Sequence, residues 1–144
     1  MRPIVIALAA VLLAPSAVGQ QVMSLEDYAA LMESNRVATS EMNAAVDAAE
    51  YDEARVHVAV LRRNFQELRR FWTARERADA IGIVRDAIGR LAALEELLGR
   101  PQGVPEDLAR ETTGEFRGAA CAACHDVYRE GDRETGFRFR EGVY

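Results

Sequence analysis

Lysine is absent from this 144-residue chain, so all 18 of its basic side chains are arginine, set against 23 Asp and Glu for a formal net charge of −5. The charges are interspersed and form no basic stripe, which argues against nucleic acid as a partner. An acidic surface suits a partner with a basic docking patch, and equally an ordinary solvated exterior. Cysteine is nearly absent as well: Cys121 and Cys124 stand in a single tetrapeptide. A bridge between residues three apart closes a tiny loop and adds little stability, so the pair reads as chemistry and not as a staple. No long apolar run follows Leu13, which argues against stable insertion in a membrane. The alternation of a β-strand is missing too, as are a Ser/His/Asp set, a phosphate-binding glycine loop and a second metal motif. Enzymatic activity is therefore not expected. The length suits one domain.

What is present begins with a leader. Met1-Arg2-Pro3 is a short positive start, Ile4 to Leu13 is apolar, and Ala17-Val18-Gly19 puts small residues where a signal peptidase reads. Residues 1–19 thus read as a secretory signal peptide, with a mature chain starting at Gln20 or Gln21 and a periplasmic destination. Removal of the leader takes away Arg2 and no acid, which makes the mature chain more negative by a single charge. A signal anchor retained in the membrane is the alternative.

The mature chain reads as four helices. Ser24 and Asp27 have the spacing of a capping box. From there Leu25, Tyr28, Met32, Asn35, Thr39, Met42 and Val46 recur at three and four, which predicts a helix to about Asp47. A second helix starts near Tyr51-Asp52 with the stripe Ala54, Val58, Leu61, Phe65, Leu68 and Trp72, while Arg62, Arg63, Arg69 and Arg70 fall off it. A third runs from about Glu76 to Leu98 on Ile81, Val84, Ile88, Leu91, Leu94 and Leu98, stopped by Gly99 as its cap and by Pro101. Pro105 suits the first turn of a fourth, which carries Leu108 and should end near Gly131. Such helices are marginal alone, and burying their stripes together predicts an all-α, antiparallel four-helix bundle. The expected organisation is leader 1–19, helical domain 24–130 and C-terminal extension 131–144.

Cys121-Ala122-Ala123-Cys124-His125 is a C-x-x-C-H sequence. Cysteines three apart lie on one side of a helical turn, where each can form a thioether to a haem vinyl group. His125 follows at once and can reach the iron as an axial ligand. Gly114, Gly118, Cys121, His125 and Tyr128 share a face at helical spacing, and its glycines leave room for a flat macrocycle or, equally, for close helix packing. Two other chemistries compete. Zinc wants three or four Cys/His ligands, and the only other histidine, His57, lies off its helix's stripe. A thiol–disulfide oxidoreductase wants C-x-x-C beside a strand–helix unit.

With its haem motif near the end of the last of four helices, the chain resembles the class II cytochromes c, the cytochrome c prime family. Cys121 to Arg129 resembles the family's C-terminal signature, and Tyr51-Asp52-Glu53-Ala54 the start of its second helix. The resemblance covers about residues 24–130. It implies one covalent haem c held by Cys121 and Cys124, with His125 as the proximal iron ligand. It also implies a division by the residue that the first helix places over the iron. An apolar residue leaves a five-coordinate iron that binds nitric oxide or carbon monoxide. A methionine gives a six-coordinate, low-spin electron carrier. Met32 holds roughly the corresponding place, so the chain is more like the low-spin branch. Ordinary core packing suits a methionine there too, and a one-residue slip would present Leu31. Met42 lies about 15 Å further along the helix and cannot reach the same iron.

Trp72 and Phe65 can wall the haem or simply fill the core, and Arg129 can pair with a propionate or with solvent. Two features depart from the family. The arginine that many members carry just before the distal position is missing from Tyr28-Ala29-Ala30-Leu31. The chain also continues past the signature to Tyr144, with Phe137 and Phe139 alternating with Arg138 and Arg140. That tail can cover a haem edge, dock a partner or hang free. The expected function is a periplasmic monohaem one-electron carrier serving redox partner proteins; the alternative is a five-coordinate binder of nitric oxide or carbon monoxide. The resemblance further implies a homodimer through the first two helices.

Overall fold

A computed structural model of the chain describes residues 23–132 and 134–143. The expected leader, residues 1–19, lies outside the described residues. The protein is all-α apart from one short hairpin: α1 (Leu25–Asp47), α2 (Tyr51–Thr73), α3 (Ala78–Leu98), α4 (Glu106–Phe116), a wider π-helical turn (Arg117–Ala122), α5 (Ala123–Tyr128), then β1 (Arg129–Asp132) and β2 (Gly136–Phe139). Each long helix packs against the next, and α4 also returns to α1. Among the described residues no helix is long and apolar enough to cross a membrane.

α1 starts where the capping box puts it. The Asp27 amide donates to Ser24 Oγ at 3.0 Å, and the Ser24 amide donates to Asp27 Oδ2 at 3.2 Å. Two otherwise orphaned donors are thereby satisfied. α1 and α2 are joined through Ala49, whose φ of 59° is left-handed. α3 begins at Ala78, two residues later than expected, because Glu76 in the connection also takes a left-handed φ of 55°. Gly99 follows α3 with φ −93°, so conformation is not what calls for glycine there. A Cβ would instead press on the Glu95 carbonyl oxygen at 3.3 Å and the Arg55 guanidinium at 3.5 Å. Pro105 is extended and stands immediately before α4 instead of inside its first turn.

The α2 stripe is buried in full, joined by Asn64 and Phe71. In α1, Asn35, Met42 and Val46 are buried as expected, Ala38 and Ala45 join them, and Leu25 in the first turn is exposed. On α3, Ile81 and Ile88 are half-buried, and Ala80, Ala87 and Leu97 complete the buried face. Polar ties cross between helices. Asn64 Nδ2 donates to Ser34 Oγ at 2.9 Å and to Asn35 Oδ1 at 3.0 Å, Arg62 pairs with Glu95, and Arg110 meets Asp47 at 3.3 Å. Arg62 is thus less solvated than its position off the stripe suggests.

The last helical stretch departs furthest from expectation. Its buried residues are Ala109, Thr113, Phe116, Ala120 and Tyr128, while Leu108 is exposed. Between its two buried aromatics and around them the core face is made of Ala109, Thr113 and Ala120, so the largest aliphatic in its first turn is a misleading guide. The helix also ends at Tyr128 and not near Gly131, because the chain turns into a strand at Arg129. Strands were not expected, yet β1 and β2 pair antiparallel, Arg129 opposite Phe139 and Asp132 opposite Gly136. The turn is built for this. Asp132 Oδ1 accepts from the Glu134 and Thr135 amides at 2.9 and 2.8 Å. Gly131 has φ +86°, and a Cβ there would lie 2.0 Å from the Gly136 carbonyl oxygen, so no other residue fits.

Candidate functional site

The π turn carries Cys121, and α5 carries Cys124 and His125. π segments inside helices concentrate at functional sites, because the extra residue shifts which side chains face inward. Here Cys124 packs against the core while Cys121 and His125 are half-buried at its edge. Both cysteines are free thiols. Burial pushes the Cys121 thiol up, opposed by Arg117. Burial first, then Cys121 and Asp79, push Cys124 up to about 11. Both are therefore protonated at neutral pH, the reverse of the low thiol pKa on which thiol–disulfide exchange catalysts depend. The His125 imidazole is held below its ordinary value by burial, with the Arg129 charge adding and Asp126 opposing. It is thus neutral at pH 7, the form that binds a metal.

Aromatic rings converge on this end of the molecule. Trp72 lies 5.0 Å from Tyr128, three residues beyond His125, and 5.0 Å from Phe71. Tyr28 of α1 lies 4.5 Å from Phe71 and 6.2 Å edge-on from Trp72. Burial raises the Tyr28 hydroxyl far above its ordinary value. Met32, one turn further along α1, is half-buried against the same core, and Leu31 beside it is half-buried too. Of the two candidate wall residues, Trp72 joins the rings beside the motif, whereas Phe65 packs edge-on against Phe116 at 5.8 Å as a core aromatic.

Gly114 and Gly118 are exposed, and a Cβ on either would meet nothing within 4 Å. Close helix packing is therefore not their purpose, and the surface beside the motif is open at both. Tyr128 does not share their face, because the π turn rotates it into the core. Arg129 sets its guanidinium 4.1 Å from the centre of the Phe137 ring. His57 is remote from the motif in its bonding, with Nε2 3.3 Å from Glu53. Among the described residues no three His, Cys, Asp or Glu side chains gather as a metal cluster.

Two contributors were not visible in the sequence. Asp79, in the first turn of α3, accepts from Arg77 at 3.3 and 3.1 Å. It also faces the Tyr128 hydroxyl, which is shut away from solvent and makes no hydrogen bond of ordinary geometry. The Arg77 guanidinium lies 5.2 Å from the centre of the Tyr128 ring. The other contributor is the hairpin. Phe139 inserts among Tyr28, Phe71 and Trp72, with centroids at 4.9, 6.2 and 5.8 Å. No local pattern announces either arrangement, since both join segments far apart in the chain.

Comparison with known proteins gives no match: no family model, no curated protein and no solved structure matches this chain.

Proposed function

We propose that this protein is an exported monohaem c-type cytochrome, an antiparallel four-helix bundle that carries single electrons in the periplasm. The observation that carries the reading is the pair of free, half-buried thiols Cys121 and Cys124 with neutral His125 next to them, one turn before Tyr128 in the ring cluster with Trp72. The residues present fit a haem c. Sγ of Cys121 and of Cys124 supply the two thioethers, and His125 supplies the proximal nitrogen. The open surface at Gly114 and Gly118 leaves space for a flat ring to approach the helix. The contacts of α4 with both α3 and α1 support that bundle reading. When bound, the haem supplies a reversible one-electron change at iron.

The chain's own role is to hold, shield and tune. Met32 would provide a soft thioether from α1, which alongside histidine would raise the potential. Trp72, Tyr28 and Tyr128 exclude water on the core side, and Arg129 sets a positive charge near His125. Were Met32 and His125 both to hold the iron in either oxidation state, transfer to a redox partner protein would need little rearrangement. Val37 and Val56, exposed on α1 and α2, suit a homodimer through those helices.

The test is covalent attachment. Made together with a bacterial haem-attachment system, the mature chain gains the mass of one haem and stays coloured after denaturation. Cys121→Ser with Cys124→Ser abolishes both. A wild-type chain that emerges colourless and unmodified defeats the proposal.

A further inference from the structure

Every helix ends with carbonyls that have no partner in the helix itself, and these must be capped or left to water. In α5 the His125 carbonyl receives the Arg129 amide. Three carbonyls that follow, those of Asp126, Tyr128 and Arg129, are met by one residue more than ten positions away. Arg140 Nη2 donates to the Asp126 carbonyl at 3.0 Å, its Nε donates to the Arg129 carbonyl at 3.1 Å, and its amide donates to the Tyr128 carbonyl at 2.9 Å.

Three features bring it there. Gly131 and Asp132 fix the turn of the hairpin, and Phe139 anchors β2 among the aromatic rings. Beyond Arg140, the Val143 carbonyl accepts from Arg77 Nη1 at 3.4 Å, which ties the end of the chain to the start of α3. Arg138, the next arginine in the strand, points elsewhere and pairs with Glu130 at 2.9 Å.

We propose that the C-terminal hairpin is a cap for the motif helix, and that Arg140 is the positioning residue that fixes the turn bearing His125. The planar fork of a guanidinium suits two carbonyls at once, and a cation at a helix C-terminus is favoured by the helix dipole. The inference rests on the haem reading for its second consequence only: a fixed positive charge close to the turn of His125 would favour the ferrous state of a haem held there.

The test uses Arg140→Gln, with Arg138→Gln as a control that removes a hairpin arginine without touching the helix. The first readout is amide hydrogen exchange of residues 123–129 in the full-length, haem-free chain. Arg140→Gln is expected to exchange about tenfold faster there, as loss of charge-assisted bonds implies, while Arg138→Gln exchanges like wild type. Unchanged exchange in Arg140→Gln, or an equal rise in both variants, overturns the cap. The second readout is the midpoint potential of the haem-loaded protein at low salt, which is expected to fall in Arg140→Gln and much less in the control. Faster exchange with an unchanged potential overturns the positioning role and leaves a purely structural cap. A wild-type chain that takes up no haem defeats the electron-carrier reading, while the exchange result still decides the cap.

Discussion

Trp72 lies 5.0 Å from Tyr128, so the only tryptophan of the chain reports on the helix turn that carries His125. Its indole is almost wholly buried where α2, α5 and the hairpin meet. Two outcomes follow from this placement. Trp72→Ala should destabilise the haem-free protein by about 3–5 kcal/mol in urea unfolding, as expected for deleting a large buried aromatic. Trp72 fluorescence should also be bright in the haem-free chain and strongly quenched in the haem-loaded one. Equal emission from the two would place the haem away from this cluster.

The Asn64 amide bridges α1 and α2 through Ser34 and Asn35. Asn64→Ala leaves the Asn35 carbonyl oxygen without this donor, at an expected cost of about 1–3 kcal/mol. Asn35→Ala combined with Asn64→Ala should cost less than the two single changes together, because the second removes the group that the first left unpaired. Equilibrium unfolding of the four proteins measures the coupling. Strict additivity would mean that the bridge does not form.

Alkaline stability should depend on Tyr128. Burial, with Asp79 facing it, raises its hydroxyl from 10.0 to about 12. A phenol raised in the folded state contributes stability in full below its unfolded pKa, and the contribution is lost as pH rises through the folded value. The haem-free protein should therefore weaken between about pH 10 and 12, and Tyr128→Phe should flatten that limb. Because the hydroxyl lacks a well-formed bond, Tyr128→Phe should change stability at pH 7 by no more than about 1 kcal/mol. Asp79 works in the opposite sense. Arg77 and then Tyr128 hold its carboxyl well below the usual range, so its contribution is present above the ordinary carboxylate pKa and is lost as pH falls. Asp79→Asn should flatten the acid limb of the same profile.

Ala49 holds a left-handed φ of 59° between α1 and α2. An L-residue with a Cβ is strained there by about 1–2 kcal/mol. Ala49→Gly relieves this and should raise the urea midpoint, less the entropy that glycine adds to the unfolded chain. A lowered midpoint would contradict the assigned geometry.

The features of the fold that were legible are those governed by near neighbours. The Ser24–Asp27 box acts over three residues, and both of its bonds form. The stripe from Ala54 to Trp72 buries in full because large apolar residues contrast sharply with the arginines around them. That contrast is weak between Ala109 and Ala120, where Phe116 is the only large apolar residue facing the core and a π turn interrupts the period, so no clear stripe marks the last helix. Phe137 and Phe139 do alternate with Arg138 and Arg140. Yet a hairpin this short shows only through its turn, and the decisive constraint on Gly131, the approach of the Gly136 carbonyl, exists only once the two strands have paired. At the site, Cys121, Cys124 and His125 were legible because they are contiguous. Arg77, Asp79 and Arg140 were not, since they reach the motif helix, at Tyr128 and Asp126, only after folding.

The central claim is tested most directly by the optical spectrum of the haem-loaded protein, oxidised and reduced, with and without carbon monoxide. The account predicts sharp, split bands on reduction, no prompt response to carbon monoxide, and a site that opens to the gas in Met32→Ala. A broad high-spin spectrum that shifts at once when carbon monoxide is added would contradict it. Met32 would then be core packing, and the protein a gas binder with an open sixth position.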